Sequence, residues 1–251
     1  MGDDWFQTDP QRYQRVRPTY PAALFTWLAE HTVGRERAWD VATGTGQAAV
    51  PLTDHFREVY ATDKYEGPVA AATHHRRITY RVEAAEQCSL PDASVDLVTV
   101  AAGLHWLNAE AFGTELRRVL RPGGLFAAWT YTNVPSNEEM AALFEHYGRA
   151  VIGSDWTTAL ADVRNGYTQI DLPGEPIAAP PFHATTTLDL EGTRDLLRSW
   201  SGAIAYARRT HLDPTAQIVD RLEIAWRVAG LAPSDAMVLE WPLEFRVQRL
   251  P

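Results

Sequence analysis

Two carboxylates and two glycines carry the chemistry that is easiest to read in this chain. Asp40-Val41-Ala42-Thr43-Gly44-Thr45-Gly46-Gln47 ends an apolar run in an acid and turns on glycines, and a second acid, Asp63, closes the next apolar run, Val59-Tyr60-Ala61-Thr62. Glycine lets a ligand lie against bare backbone, and a helix start behind it offers unpaired N–H donors. An acid just before the turn suits an ammonium group, and an acid at the end of the next strand suits ribose hydroxyls. The combination is that of a site for an adenosyl ligand. The glycines alone do not decide which one, because Gly44-x-Gly46-x-x-Ala49 also fits the dinucleotide fingerprint.

Such a site needs parallel strands, and the chain supplies them. Strand-like and helix-like segments alternate from about residue 20 to about residue 131, the pattern of a parallel sheet with crossover helices. The spacing predicts a helix over Pro21–His31 and strands over Ala38–Ala42, Val59–Thr62, Ile78–Val82 and Val95–Ala101. Pro51 should shorten or kink the helix after Gly46. Asn108 reads as the N-cap of the clearest helix, with Phe112, Leu116, Val119 and Leu120 on one stripe and Pro122-Gly123-Gly124 as its stop. Leu125–Tyr131 is then a fifth strand. Beyond it the chain is irregular to about Pro181, apart from a helix over Asn137–Val151. Phe182–Leu188 alternates like a strand, Leu190–Tyr206 and Pro214–Val228 read as helices, and Met237–Gln248 is a terminal strand interrupted at Trp241-Pro242. We expect one α/β domain over 1–251, with cap elements at about 1–20 and 133–235.

Four blocks in order resemble the motifs of class I S-adenosylmethionine (SAM)-dependent methyltransferases. They are Asp40 to Gln47, then Asp63, then Ala85-Glu86-Gln87-Cys88-Ser89-Leu90-Pro91-Asp92-Ala93-Ser94-Val95-Asp96-Leu97-Val98, and then Arg118-Val119-Leu120-Arg121-Pro122-Gly123-Gly124. Leu104-His105-Trp106 and Leu197-Arg198-Ser199-Trp200-Ser201 resemble the branch that includes trans-aconitate methyltransferase-like enzymes. The resemblance implies a Rossmann-like seven-stranded sheet of order 3-2-1-4-5-7-6 with the last strand antiparallel. It also implies SAM as cofactor and S-adenosylhomocysteine (SAH) as product. Carried over by position, Asp40 would lie by the methionine amino end, Ala42, Gly44 and Gly46 would face the ligand, and Asp63 would take the ribose hydroxyls. Ala85 and Glu86 would lie by the adenine, and Ala101 by the methionine side. Ala42 stands where many relatives have the first glycine, and its methyl is expected to point into the sheet.

Methyl transfer from a sulfonium is an in-line displacement that needs alignment and dryness, and no metal. His105, beyond the fourth strand, is the candidate general base or positioning residue, with Trp106 beside it. Tyr13 and Arg17 are candidate lid contacts, and Trp129, Tyr131 and Trp200 read as an aromatic pocket wall or as core. Arg198, Arg208, Arg209 and His211 lie in the cap, where one cation could clamp an acidic acceptor. We therefore expect O-methylation of a small molecule, a carboxylate in preference to a hydroxyl. An NAD-dependent oxidoreductase and a SAM-binding protein that does not methylate stay as alternatives. A formal charge of -9 argues against a nucleic-acid partner, no apolar run is long enough to span a bilayer, and the lone Cys88 cannot form an internal disulfide. The expected setting is cytoplasmic, as a monomer or homodimer.

Overall fold

The computed structural model describes residues 10–131, 135–156, 163 and 166–251. A short helix α1 (Pro10–Val16) leads into α2 (Ala22–Glu30), and the chain then enters β1 (Arg37–Val41), α3 (Ala49–Leu52), β2 (Glu58–Asp63), α4 (Glu66–Ala70), β3 (Ile78–Val82) and β4 (Val95–Ala101). Next come α5 (Ala109–Val119) and β5 (Leu120–Tyr131), then α6 (Glu138–His146), β6 (Glu175–Pro176), β7 (His183–Leu188), α7 (Leu190–Arg198), α8 (Ser201–Thr210), α9 (Val219–Val228) and β8 (Met237–Arg249).

The sheet order is β3-β2-β1-β4-β5-β8-β6, with β7 pairing β8 outside that path. Strands β1 to β5 are parallel and β8 runs antiparallel to β5. This is the Rossmann-like order implied by the motifs. Because both faces of a parallel sheet are covered, β1 is buried along Ala38–Val41. Ala38 joins the core shared with Leu24, Phe25 and Leu28 of α2, and Trp39 and Val41 join the opposite core with Phe112, Leu116 and Val119 of α5. The chain leaves β1 toward β2 on one side and β4 toward β5 on the other, which opens a crevice at the carboxyl ends of β1 and β4.

Several elements differ from the sequence expectation. The single helix expected over Leu190–Tyr206 is two, because the backbone turns extended at Trp200 (φ -70, ψ 137). Strand β8 is not interrupted at Trp241-Pro242; its partner changes there, from β7 along 237–242 to β5 along 243–249. Proline, which has no N–H to give, sits at the last pair with β7. Pro122-Gly123-Gly124 lies inside β5 rather than ahead of it: the register with β4 shifts between Val95 and Leu97, and Gly123 takes φ +76. As Pro51 suggests, α3 is only four residues long. The Asn108 and Asn137 side chains cap α5 and α6, accepting the N–H groups of Ala111 and Met140. Helices α6 to α9 share one apolar cluster with β7 and β8 through Phe144, Leu197, Ala203, Leu222, Leu188 and Trp241. Among the described residues no helix is long and apolar enough to cross a membrane.

Candidate active site

A cleft of about 200 Å³ opens at the carboxyl ends of β1, β2 and β4. Its floor is the turn after β1, where Ala42, Thr43, Gly44 and Thr45 line it. Thr43 N–H donates to Thr62 at 2.9 Å and Gly46 N–H to Thr43 at 2.9 Å, which ties the turn to β2 and to itself. Gly44 has φ +56 and open space where a β-carbon would stand, so the cleft reaches its backbone. The Thr45 hydroxyl is buried and has no hydrogen-bond partner among the described residues.

Asp63 borders this floor. Its two carboxylate oxygens accept the N–H groups of Gly44 and Tyr65, each at 3.0 Å. Each oxygen keeps further acceptor capacity for a ligand hydroxyl. Burial raises its pKa, and those two N–H groups pull it back down. Ala85 and Glu86 line the next wall, and Glu86 accepts the N–H of Asn108 at 2.8 Å, which fastens it to the start of α5. The end of the same loop is pinned to α5 by Arg118, which donates to the Leu90 carbonyl, Asp92 and Glu115. Ala101, Ala102 and Gly103 close the β4 side, and Trp106 and Leu107 complete it.

The far end is phenolic, with Tyr13 and Tyr20 from the N-terminal segment and Tyr131 from the end of β5. Burial pushes Tyr13 up to about 12 and Tyr20 well above the ordinary range, so both phenols stay protonated and can donate. Arg17 lies over the Tyr13 ring at 4.5 Å and donates to the Tyr131 hydroxyl at 3.2 Å and to the Ser199 carbonyl at 2.8 Å. Gln14 reaches Thr73 on the opposite bank at 3.3 Å, and Thr19 pairs with Thr185 of β7. The segment thus crosses the cleft and is fastened on both sides.

Other expected site residues sit elsewhere. Asp40 does not line the cleft: it is buried beneath the turn, with its oxygens accepting the Thr43 and Thr99 hydroxyls at 2.6 and 2.7 Å. Burial nonetheless raises its pKa to about 6. Gly46 faces away from the cleft, with φ +90 and the Tyr80 hydroxyl where a β-carbon would be. The Ala42 methyl does not slip into the sheet; the residue is left-handed (φ +52) and the methyl abuts Gly103. Trp129 is core, packed edge-on against Tyr20 and Phe25, and Trp200 is core among Phe144, Tyr147 and Trp156. His105 stands outside the lining, its ring 4.7 Å from that of Trp106 and its Nδ1 3.1 Å from the Tyr167 hydroxyl. Burial lowers its pKa to about 4 and keeps it neutral at pH 7. The cap arginines do not reach the cleft: Arg198 is held by Glu191, Asp195 and Asp213, Arg209 by Asp155, and Arg208 and His211 are exposed.

Residues 39–128 match a family model described as a methyltransferase domain. A solved structure described as a type II methyltransferase from Anaeromyxobacter dehalogenans is 36% identical, with a TM-score of 0.85, over 94% of this chain and 99% of that one. The chain belongs to the class I SAM-dependent methyltransferases. This methyltransferase is also 28% identical to a Dictyostelium discoideum protein named as a methyltransferase, over 90% of this chain and 87% of that protein. A Saccharomyces cerevisiae protein named as a SAM-dependent methyltransferase, CRG1, is 30% identical over 47% of this chain and 44% of its own length.

The cofactor is SAM, and the residues present fit it: bare backbone at Gly44, a buried unpaired hydroxyl at Thr45 and a carboxylate with spare capacity at Asp63. The dinucleotide reading of the glycines is set aside, since the matched region includes that loop. Thr45, Lys64 and Tyr65 also line the cleft, although in sequence they are ordinary turn residues. Tyr20 lines the cleft from the same N-terminal segment as the candidate lid contact Tyr13. Nothing in the irregular stretch around Tyr167 signals its place beside His105.

Proposed function

We propose that this methyltransferase methylates an oxygen of a small molecule, a carboxylate in preference to a hydroxyl. The observation that carries the proposal is the phenolic end of the cleft, where Tyr13, Tyr20 and Tyr131 gather around Arg17. Protonated phenols and a guanidinium are all hydrogen-bond donors, which suits an anionic acceptor and disfavours a cationic one. The resemblance of Leu104-His105-Trp106 and Leu197 to Ser201 to the trans-aconitate branch supports the same choice. The formal charge of -9 favours a small acceptor over a nucleic acid, in a cytoplasmic enzyme that is a monomer or homodimer.

In this reading Asp63 takes the ribose hydroxyls, Ala42 and Gly44 bear against the ligand, Ala85 and Glu86 flank the adenine, and Ala101 lies on the methionine side. Bound SAM supplies an electrophilic methyl group: an acceptor lone pair forms the new C–O bond as the C–S bond breaks, and that bonding pair returns to sulfur. The protein's own part is to align and to exclude water. Tyr13 and Arg17 belong to a lid, within a cap formed by about 1–20 and 133–235, and Tyr131 and Trp106 hold the acceptor. His105, neutral near pH 7, serves as a positioning group beside the acceptor.

The test is incubation with methyl-labelled SAM and a panel of carboxylic acids and phenols, read by mass analysis. Labelled methyl esters and SAH are the expected products. Methylation confined to phenols would overturn the carboxylate preference. SAM binding with no acceptor methylated would favour a non-methylating role.

A further inference from the structure

Tyr167 combines backbone strain, complete burial and a polar contact with a candidate site residue. It is fully buried and takes φ +61, a left-handed conformation that is a true outlier for a bulky residue. Gly166 before it is also left-handed, at φ +58. Two successive left-handed residues reverse the chain, and Arg246 of β8 holds the reversal by donating to the carbonyls of Tyr167 at 2.6 Å and Ile170 at 2.8 Å. Strain of this kind persists only where surrounding contacts enforce it, and it gathers at functional sites.

The strained turn sets the Tyr167 ring against the imidazole of His105, with centroids 5.9 Å apart and planes within 22°. Its hydroxyl lies 3.1 Å from Nδ1. Trp106 covers another side of the same imidazole. Trp106 itself lines the cleft, so the pair lies directly behind that wall.

We propose that Tyr167 is a positioning residue for methyl transfer: its phenol donates to Nδ1 of His105, fixes the ring plane and leaves Nε2–H as the donor offered to the acceptor. The inference rests on the reading of His105 as a group beside the acceptor. A carboxylate needs to be held rather than deprotonated, and a fixed N–H does that.

Two measurements test it. In long-range ¹⁵N spectra of the SAH complex, His105 is expected as a single Nε2–H tautomer, and Tyr167→Phe is expected to give a mixture; an Nδ1–H tautomer, or no change in Tyr167→Phe, overturns the proposal. With the acid that turns over fastest in the panel, Tyr167→Phe is expected to lower kcat about tenfold while SAH affinity holds within twofold, as for loss of one orienting hydrogen bond. Adding it to His105→Ala should then cost nothing more. Loss of kcat in His105→Ala with none in Tyr167→Phe overturns the positioning role alone, whereas full kcat in His105→Ala overturns the reading of His105 itself. Should Tyr167→Phe fail to fold, Arg246→Gln releases the strained turn with the phenol intact, and the same change of tautomer is expected there; a single unchanged tautomer would overturn the proposal.

Discussion

The methyl group of Ala42 occupies the space that a β-carbon on Gly103 would need, the two lying 2.8 Å apart. Both residues line the cleft, at the ends of the neighbouring strands β1 and β4. Ala42 is itself left-handed, which for a residue with a β-carbon costs on the order of 1–2 kcal/mol. Gly103→Ala is therefore expected to destabilise the protein by about 1–3 kcal/mol through overpacking. Ala42→Gly should be neutral or stabilising by up to about 1 kcal/mol, and it should abolish most of the cost of Gly103→Ala. A double-mutant cycle by urea denaturation measures this coupling, and simple additivity would show that the two positions do not compete.

Asp40 is expected to make stability fall as the pH rises. Its carboxyl is held near 6 in the folded protein, mainly by burial, against an ordinary value of 3.8. The folded state therefore binds the proton more tightly than the unfolded state. The associated stability is full below about pH 4, is lost as the pH climbs through about 6, and stays lost above it. The shift corresponds to roughly 3 kcal/mol as an upper figure. Asp40→Asn does not titrate, so the wild type should gain on this variant between pH 7.5 and pH 4. A stability difference that does not vary with pH would mean that Asp40 titrates normally.

Asp63→Ala should weaken SAH binding by about 1.5–3 kcal/mol, the worth of hydrogen bonds to a charged group, or roughly 10- to 150-fold in Kd. Isothermal calorimetry reads the loss directly. Because the same carboxylate holds the N–H groups of Gly44 and Tyr65, Asp63→Asn is the companion variant. It keeps an acceptor for the turn and should lose less. Unchanged affinity in Asp63→Ala would remove Asp63 from the ribose site.

The sheet was legible because its strands are short apolar runs closed by acids and glycines, and periodicity plus turn chemistry are local signals. The turn from Ala42 to Thr45 was legible for the same reason. What sequence could not assign was the direction of a buried side chain. Asp40 has the type and spacing of a ligand residue, yet Thr99, 59 positions away on β4, claims one of its oxygens. Trp129 and Trp200 are as aromatic as Tyr131, but only Tyr131 reaches the cleft, because it ends β5 while Trp129 lies one inward pair earlier. Arg198 is a related case: its partners Glu191, Asp195 and Asp213 are visible in sequence, but their convergence depends on how α7 meets the turn after α8.

Arg17 and Arg198 offer the sharpest contrast between a cation near the cleft and one in the cap. Arg17 bonds to the cleft-lining Tyr131 and to Ser199 at the break between α7 and α8, so it couples the N-terminal segment to the far bank. Arg17→Met keeps the stem and its packing but removes the charge and these bonds. It should accelerate SAH release in stopped-flow measurements and lower kcat/KM for the proposed acid acceptor at least tenfold. Arg198 is half-buried and held by three carboxylates outside the cleft lining, so its charge is spent within the cap. Arg198→Met should leave SAH release and kcat/KM within twofold of wild type. If the two variants exchanged these behaviours, the proposed acceptor site would have to be moved from the β5 end of the cleft to the α7–α8 surface.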